Sequence, residues 1–425
     1  MTYATSTDRT ALYRRELLTR MLPWWETNAI DPNGGVFTCF SNEGTLVSQD
    51  KYTWSQGRWA WLCAELADTA EFGILPLEAQ LWRERASDTG RHLERTITAA
   101  GSDVAFITTR EGDHLPANGG GDIAVSVYAD LFAALGLVNA AASAEEATAT
   151  ERERWNASAH RILESAARRV RDGSAPSEPY PVPAEFADLG RTMLLMSVAT
   201  EIHLRTGSDA SRIIVEEAMA RITGPDGQWS AARCWEFKPQ NTDDGFDDTL
   251  LANHLNPGHV LELSWMLLDA ASVSSVAAAL LPEWLSATVL TTLALGWDEG
   301  QGGLFRFVDH RGGAPIGRRL GDSDYENLVL DTWDTKLWWV HIEALLACEI
   351  FAIHTGDPAF DVWANRVADY TFSTFPDAES GEWIQIRDRS GAPLDKVVAL
   401  PVKDPFHVPR ALIRMVRLAE RTATL

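Results

Sequence analysis

Apolar residues recur at helical spacing through most of this chain, and no regular strand alternates with them. Segments that repeat an apolar residue every three to four positions form amphipathic helices. Because strands are missing between these segments, a doubly wound sheet is excluded and an all-α fold is predicted. About twelve helices are predicted, over residues 10–25, 53–72, 77–98, 122–142, 146–170, 185–206, 210–222, 257–271, 282–295, 330–354, 359–375 and 405–423.

Short glycine-containing segments with an aromatic or apolar stretch lie between the predicted helices, at 33–37, 226–229, 301–305 and 380–383. This pattern is typical of a tight β-hairpin. Two helices and a hairpin therefore form a unit that recurs along the chain. Sixfold repetition of such a unit predicts an (α/α)6 barrel with short hairpins in the loops at one end, and an irregular helical bundle is the alternative.

One segment, 171–183, is rich in Pro and Ser and is a candidate domain boundary. Helix pairs are predicted on both sides of it, so we interpret it as a long surface loop. The whole chain, 1–425, is accordingly predicted to be a single catalytic domain with the (α/α)6 barrel fold.

The net charge limits the classes of partner that this chain can bind. It contains 60 acidic and 37 basic residues, which gives a net charge of −23 at pH 7. Such a surface repels phosphate backbones and anionic membranes, which argues against nucleic acid or membrane partners. No run of 18 apolar residues predicts a membrane span. The first 17 residues carry no apolar core of a secretory signal, so we expect a cytoplasmic protein. We expect it to be either a monomer or a homodimer.

Cysteine and tryptophan are also informative. The four cysteines, Cys39, Cys63, Cys234 and Cys348, have no zinc-ligand spacing and are expected to be buried free thiols. The chain contains 17 tryptophans, which fit either a Trp-rich core or a pocket that stacks sugar rings. Both interpretations can hold together.

Two histidines occur in matched settings, Asn256-Pro-Gly-His259 and Asp404-Pro-Phe-His407. Asn or Asp serves as an N-cap, and Pro fits the first helical position. Each His then lies in a first helical turn, where the helix dipole disfavours imidazolium. We expect neutral imidazoles that act as general bases near pH 7, although a local cap or surface role is the alternative.

Charged residues follow both histidines at i,i+3, namely Glu262 and Arg410. This spacing places each on the helical face of its histidine. Glu262 is expected to orient His259 or to contact a substrate hydroxyl. An ordinary surface ion pair explains Arg410 equally well.

Aromatic and charged residues share a helical face in two further segments. Trp54 and Arg58 are spaced i,i+4, and a buried Arg58 would need a partner or would stabilise an oxyanion. An arginine that reaches the surface is the alternative. Trp339 and Glu343 have the same spacing and would hold a sugar between ring and carboxylate, unless they only pack.

The sequence does not indicate a phosphate-binding loop, a cation site or another common catalytic motif. Residues 119–121, Gly-Gly-Gly before Tyr128, lack the Lys-Ser/Thr ending of a phosphate loop. The acidic segment 241–248 suits a solvated loop better than a cation site. No metalloprotease, serine hydrolase, dinucleotide-binding or EF-hand motif is present, so neither a metal nor a cofactor is expected.

Taken together, these motifs resemble those of the N-acylglucosamine 2-epimerase superfamily. The matching segments are Pro257-Gly-His259-Val-Leu-Glu262, Lys336-Leu-Trp-Trp339 with Glu343-Ala-Leu, Phe406-His407-Val-Pro-Arg410-Ala-Leu, and Trp54-x-x-x-Arg58. They lie in the family's order and span nearly the whole chain. Each is weak alone, but the set is specific.

The resemblance implies an (α/α)6 barrel that acts on free sugars, as in N-acylglucosamine, cellobiose and mannose 2-epimerases and a mannose-to-fructose isomerase. It implies that His259 and His407 are the catalytic histidines and that Glu262 accompanies the first. It also implies that Arg58 binds an enediolate and that Tyr128 contacts the substrate.

Two positions depart from the family pattern. The family usually carries Asn-x-x-Met-His on the helix before the central pair, where this chain has Gly190-Arg-Thr-Met193-Leu194. Disaccharide epimerases place a Trp five residues before the last His, where this chain has Val402. The second departure argues against cellobiose as the substrate.

The expected reaction is removal of the C2 proton of an open-chain aldose, which gives a cis-enediolate. Return of a proton to C2 from the opposite face gives the epimer, and return to C1 gives the ketose with one His as shuttle. The substrate is expected to be a free monosaccharide such as mannose. The alternatives are a glycoside hydrolase or lyase that uses two of Asp130, Glu262 and Glu343, and an inactive sugar-binding relative.

Overall fold

A computed structural model describes residues 6–116, 125–143, 147–177, 181–240, 245–274, 281–321, 323–395 and 403–423. Six helices in it form a closed ring in which each contacts the next and the last contacts the first. These inner helices are α3 (Thr53–Glu71), α5 (Val127–Ser143), α7 (Leu189–Thr206), α10 (Pro257–Val273), α13 (Trp338–Thr355) and α15 (His407–Ala423).

A second layer of helices packs outside this ring. It consists of α1 (Ser6–Glu16), α4 (Ala79–Thr96), α6 (Ala149–Asp172), α8 (Asp209–Thr223), α11 (Leu285–Gly296) and α14 (Pro358–Thr374). The helix α1 continues through a π-helical turn, Leu17–Met21, into α2 (Leu22–Asn28). Two shorter helices, α9 (Leu250–Asn253) and α12 (Asp324–Thr332), lie in the connections. The predicted all-α (α/α)6 architecture is therefore present.

Short antiparallel strands precede four of the inner helices. The strands β1 (Lys51–Tyr52), β2 (Ile107–Thr108) and β3 (His114–Leu115) form one sheet. The pairs are β4 (Phe186–Asp188) with β5 (Phe237–Pro239), β6 (His254–Leu255) with β7 (Val308–Asp309), and β8 (Lys336–Leu337) with β9 (Ile386–Arg387). Since β1, β4, β6 and β8 lead into α3, α7, α10 and α13, these strands lie at the N-terminal ends of the inner helices.

Three of the predicted glycine turns are closed by single bridges, namely Ile30 with Val36, Trp297 with Leu304 and Pro376 with Trp383. In the fourth segment the bridge of Trp229 with Cys234 follows Gly227 and closes residues 230–233. The helix predicted over 330–354 is wrong in its first part. There the chain leaves α12, forms β8 and starts α13 only at Trp338. A continuous apolar run hides such a break, because a short buried strand has the same composition as a buried helix.

Tryptophans lie both in the core and in a cavity wall, which are the two locations predicted. Trp25, Trp59, Trp82, Trp155, Trp229 and Trp383 are fully buried in the core between the two helical layers, whereas Trp54, Trp338 and Trp339 line a cavity. The four cysteines are buried and unpaired. No helix among the described residues has the length and apolar character needed to cross a bilayer.

Four lysines make the same kind of contact in this fold, because each binds a backbone carbonyl at a turn. The ammonium of Lys51 binds Asp31 and the carbonyl of Gly34, and that of Lys336 binds Asp298 and the carbonyl of Gly303. Lys403 binds Glu382 and the carbonyl of Trp383, and Lys238 binds the carbonyls of Asp226 and Gly227. Each lysine thus ties a segment at the N-terminal end of the ring to a hairpin turn.

Candidate active site

A cavity of about 260 Å³ opens at the N-terminal end of the ring. All six inner helices line it: Trp54 and Arg58 come from α3, Tyr128 and Phe132 from α5, Gly190, Met193 and Leu194 from α7, His259, Glu262 and Met266 from α10, Trp338 and Trp339 from α13, and His407 and Arg410 from α15. Seven of the eight predicted site residues therefore lie in one cavity wall. Glu343 is the exception.

His259 lies at the start of α10, where its backbone N–H donates to the side chain of Asn256. Its Nδ1 lies 2.7 Å from Oε1 of Glu236. A carboxylate only accepts, so Nδ1 carries the hydrogen and Nε2 remains for a ligand. Burial by itself lowers the pKa of His259. The negative charge of Glu236 and its hydrogen bond outweigh burial, and the pKa rises to about 9. The expectation of a neutral imidazole is wrong here, because a partner carboxylate dominates over the helix dipole.

His407 repeats this arrangement at the start of α15. Its backbone N–H donates to Asp404 at 2.9 Å, the contact expected of a cap, although α15 begins at His407 and not at Pro405. Its Nδ1 lies 2.9 Å from Oε1 of Glu343. The imidazole is thus held by a carboxylate in the same way as that of His259, with Nε2 left over.

Trp339 lies against both imidazoles. Its ring centre is 5.4 Å from that of His259 and 5.5 Å from that of His407. Gly258 permits this approach, because a Cβ atom there would lie 2.6 Å from the Trp339 ring. The Pro-Gly-His segment therefore brings the indole and the two histidines together.

The buried guanidinium of Arg410 forms ion pairs with two carboxylates. Its Nη2 lies 2.5 Å from Oε1 of Glu262 and 2.6 Å from Oε1 of Glu343. Arg410 is only 4% exposed, so the surface ion pair considered for it is wrong. Glu262 also does not hold His259 as expected, since it contacts Arg410 and lies 3.9 Å from Nδ1 of His407.

Glu343 lies behind the cavity wall. Its side chain is fully buried and accepts hydrogen bonds from His407, Arg410 and the indole of Trp265. Burial raises the pKa of this carboxyl, but Arg410 and His407 outweigh burial and lower it. The expected contact of Glu343 with a sugar is therefore replaced by a contact with His407, because the side chain turns toward α15.

Arg58 is held between aromatic rings. Its guanidinium lies 4.2 Å from the ring centre of Phe132 and 5.0 Å from that of Trp54, and Nη1 is 3.2 Å from Asp404. Its Nε is buried and has no hydrogen-bond partner among the described residues. The alternative in which Arg58 reaches the surface is wrong. A buried donor left unpaired in a cavity wall is suited to an anionic ligand.

Tyr128 and Asp188 form the neighbouring part of the wall. The Tyr128 hydroxyl donates to Asp188 at 2.8 Å, and Asp188 also caps α7. Burial and the charge of Asp188 raise the pKa of this hydroxyl well above its usual value. Tyr128 thus stays protonated and keeps its oxygen lone pairs for a ligand hydroxyl.

Sequence reasoning missed Glu236, Asp188 and the contact of Asp404 with Arg58. Glu236 directly precedes β5 and Asp188 ends β4, both outside any motif, so no spacing signalled them. Of the carboxylates considered for glycoside hydrolysis, Asp130 is fully buried and bonded to Arg169, away from the cavity lining. Residues 119–121, 241–244 and Val402 lie outside the described residues.

Among the described residues, one group of acidic and histidine side chains is close enough to share a metal ion: Glu262, Glu343 and His407. The guanidinium of Arg410 contacts an oxygen of both carboxylates. It therefore already supplies the positive charge that a cation would bring to this group.

Residues 35–411 match the family model described as N-acylglucosamine 2-epimerase (GlcNAc 2-epimerase). The N-acylglucosamine 2-epimerases of Mus musculus and Bos taurus are similar to this chain, with 28% and 29% identity over 93% of it. The alignments cover 88% and 87% of those two proteins.

Solved structures show the same fold. A sugar epimerase from a ruminal bacterium superposes with a TM-score of 0.73 at 17% identity, covering 96% of this chain and 98% of its own. A D-mannose isomerase gives a TM-score of 0.71 at 17% identity, covering 98% of this chain and 100% of its own. The match to the family model over most of its length shows that this chain belongs to the N-acylglucosamine 2-epimerase family and is a sugar epimerase or isomerase.

Proposed function

We propose that this enzyme epimerises a free monosaccharide at C2 through a cis-enediolate, with His259 and His407 as the two acid-base groups. The observation that carries this proposal is the pair of imidazoles that flank Trp339, each with Nδ1 bound to a carboxylate. A substrate carbon between them would meet one Nε2 on each face. C2 inversion needs a base on one face and an acid on the other.

His259 and His407 would share one catalytic proton. Glu236 favours the protonated form of His259, which suits an acid, and the other imidazole then removes the C2 proton. After turnover the proton lies on the opposite imidazole, and the reverse reaction starts from that state. The symmetry of the two settings supports a reversible epimerase.

Arg58 would bind the enediolate oxygens. The enediolate carries negative charge on the oxygens at C1 and C2, and a guanidinium fixed in the cavity wall stabilises it without reorganisation. The unpaired Nε of Arg58 supports this role. Tyr128 and Trp54 would hold the sugar beside it, and Trp339 would lie along its apolar face.

The cavity supports a small substrate. At about 260 Å³ it lies near the lower end of ligand pockets, which start at roughly 300 Å³. One sugar ring suits this volume better than a disaccharide. We further propose that residues 1–425 act as one catalytic domain, as a cytoplasmic monomer or homodimer that binds a small-molecule sugar and neither nucleic acid nor membrane.

The test is a panel of mannose, glucose, fructose, talose, lyxose and N-acetylmannosamine incubated with enzyme in D2O and followed by NMR. Deuterium at C2 together with the C2 epimer supports the proposal. Conversion of an aldose to a ketose without its epimer would instead assign aldose-ketose isomerisation. If no sugar shows either C2 exchange or conversion, both assignments are contradicted.

A further inference from the structure

Trp265 lies behind the cavity wall, next to Glu343. It belongs to α10, one turn after Glu262, and it is buried but does not line the cavity. Its indole Nε1 donates to Oε2 of Glu343 at 3.0 Å, while Oε1 of the same carboxylate binds His407 and Arg410. The indole therefore holds the oxygen of Glu343 that His407 does not use.

Two donors compete for the other oxygen of Glu343. Nη2 of Arg410 lies 2.6 Å and Nδ1 of His407 lies 2.9 Å from Oε1, and Arg410 also has a buried Nε with no hydrogen-bond partner among the described residues. A guanidinium binds a carboxylate most strongly through two parallel bonds. The last side-chain torsion of glutamate is broad, so rotation of the carboxylate would let Arg410 take both oxygens and draw Glu343 away from His407. The indole bond to Oε2 opposes this rotation.

The indole bond distinguishes the settings of the two histidines. The carboxylate that binds His259 is Glu236, and its Oε2 is buried with no hydrogen-bond partner in the part of the chain that the structure describes. Loss of the Trp265 N–H should therefore disturb His407 and leave His259 as it is.

Two arginines hold the indole in place. The guanidinium carbon of Arg414 lies 4.3 Å from the centre of the Trp265 ring, and that of Arg410 lies 4.9 Å from it. Cations at these distances are attracted to an indole face. Arg414 is itself fixed by Asp269, one turn further along α10, through bonds of 2.6 and 2.9 Å. The packing around Trp265 thus keeps its N–H directed at Glu343.

We infer that Trp265 is a positioning residue of this enzyme, which keeps Glu343 on His407 and so holds Nε2 of that histidine toward the substrate carbon. This inference rests on the proposed function, in which His407 is an acid-base group. Misplacement of a reacting group by about 1 Å costs on the order of 10²-fold in rate. Since Trp265 does not line the cavity, its loss should lower kcat and leave KM nearly unchanged.

The first measurement compares kcat and KM of Trp265→Phe, which keeps an aromatic ring but lacks the N–H, with those of the wild type. The expected drop in kcat is about 10- to 100-fold. The matched control is Trp383→Phe, because the Trp383 indole also donates to a buried carboxylate, Glu16 at 2.7 Å, but lies outside the cavity lining. The control should keep the wild-type kcat. A normal kcat in Trp265→Phe, or an equal loss in the control, would overturn the inference.

The second measurement separates the two histidines. Trp265→Phe is combined with His259→Ala and with His407→Ala, and NMR in D2O follows the C2 hydrogen of the epimer that each histidine variant still exchanges. Exchange should fall about 10-fold or more in the His259→Ala background, where His407 is the remaining base, and should stay unchanged in the His407→Ala background. An equal loss in both backgrounds would show a merely structural role and would overturn the inference.

A shape-retaining replacement covers the case in which Trp265→Phe does not fold. Replacement of Trp265 by 3-benzothienylalanine puts sulfur in place of the N–H and keeps the size of the side chain, and the same results are then expected. Failure of the proposed function is distinguishable, because the wild-type enzyme then forms no C2 epimer of any sugar.

Discussion

Glu236 holds Nδ1 of His259 at 2.7 Å, although the two residues lie on different elements and 23 positions apart. The backbone of Glu236 accepts from the N–H of Leu189, so the start of α7 fixes the position of this carboxylate. Its charge sets the proton affinity of His259, and this relationship gives the first prediction.

Glu236→Gln should move the upper limb of the pH profile. Below about pH 9 His259 keeps its proton, and above it the catalytic pair loses its last proton and activity falls. Without the carboxylate charge the pKa of His259 drops, so the fall should occur about one pH unit lower or more. The kcat/KM profile is measured in both directions, and the shift must be equal because the equilibrium constant of the reaction links them. Glu236→Asp, which keeps the charge, is the control, and an unmoved upper limb in the Gln variant would contradict this role.

Arg58→Lys should lower kcat on the order of 10²-fold or more, because an ammonium cannot present a planar fork to two enediolate oxygens. Steady-state kinetics measure the effect. Arg85→Lys is the matched control, since Arg85 also lies over a tryptophan ring, Trp82, but away from the cavity. Near-normal kcat in the Arg58 variant would make this residue structural.

His259→Ala and His407→Ala should each reduce epimerisation about 10²- to 10⁴-fold without unfolding the protein. Each variant keeps one base, so each should still exchange the C2 hydrogen of one epimer with D2O, and the two variants should select opposite epimers. NMR of both epimers in D2O reads this directly. Wild-type rates in either variant would refute the assignment, and circular dichroism checks the fold.

Excess EDTA should leave activity unchanged. Arg410 supplies the positive charge between Glu262 and Glu343, and Arg58 supplies it at the proposed enediolate site. Turnover before and after extended dialysis against the chelator is the measurement. A loss that Mg²⁺, Mn²⁺ or Zn²⁺ restores would show that a metal is required.

Lys51→Met should lower the free energy of unfolding by about 2 kcal/mol, because the buried carboxylate of Asp31 loses its ammonium partner and keeps only the guanidinium of Arg110. Urea denaturation measures the change. Lys238→Met is the control, since Lys238 is half-buried and contacts only carbonyls, and its effect should stay below about 1 kcal/mol. Equal effects would show that the paired charge at Asp31 contributes nothing specific.

Much of this fold follows from local sequence. The periodicity of 53–72 predicts α3 to within one residue, and the Asn-Pro-Gly-His segment predicts the start of α10 with its cap. Both are local effects of side-chain spacing and capping. The same reasoning fails at 330–354, where burial on all sides removes the periodic signal.

The candidate site is less accessible to such reasoning. Motifs predicted that His259, His407 and Arg58 matter, but not which carboxylate serves each. Glu262 is three residues from His259 and yet contacts Arg410, whereas Glu343 reaches across to α15. Pairings of this kind depend on how neighbouring inner helices pack around the ring. The spacing of residues within one helix carries no information about that packing.

The use of lysine at the hairpin turns also determines how the protein responds to chemical reagents. The chain has five lysines, Lys51, Lys238, Lys336, Lys396 and Lys403. Of the four that the structure describes, three are buried and all four bind carbonyl oxygens. Amine-modifying reagents need a free, exposed amine, so the three buried side chains should react slowly with succinimidyl esters, dialdehyde cross-linkers or amine-coupling surfaces while the protein is folded, and the half-buried Lys238 should react faster. Loss of that protection would report the opening of a hairpin turn.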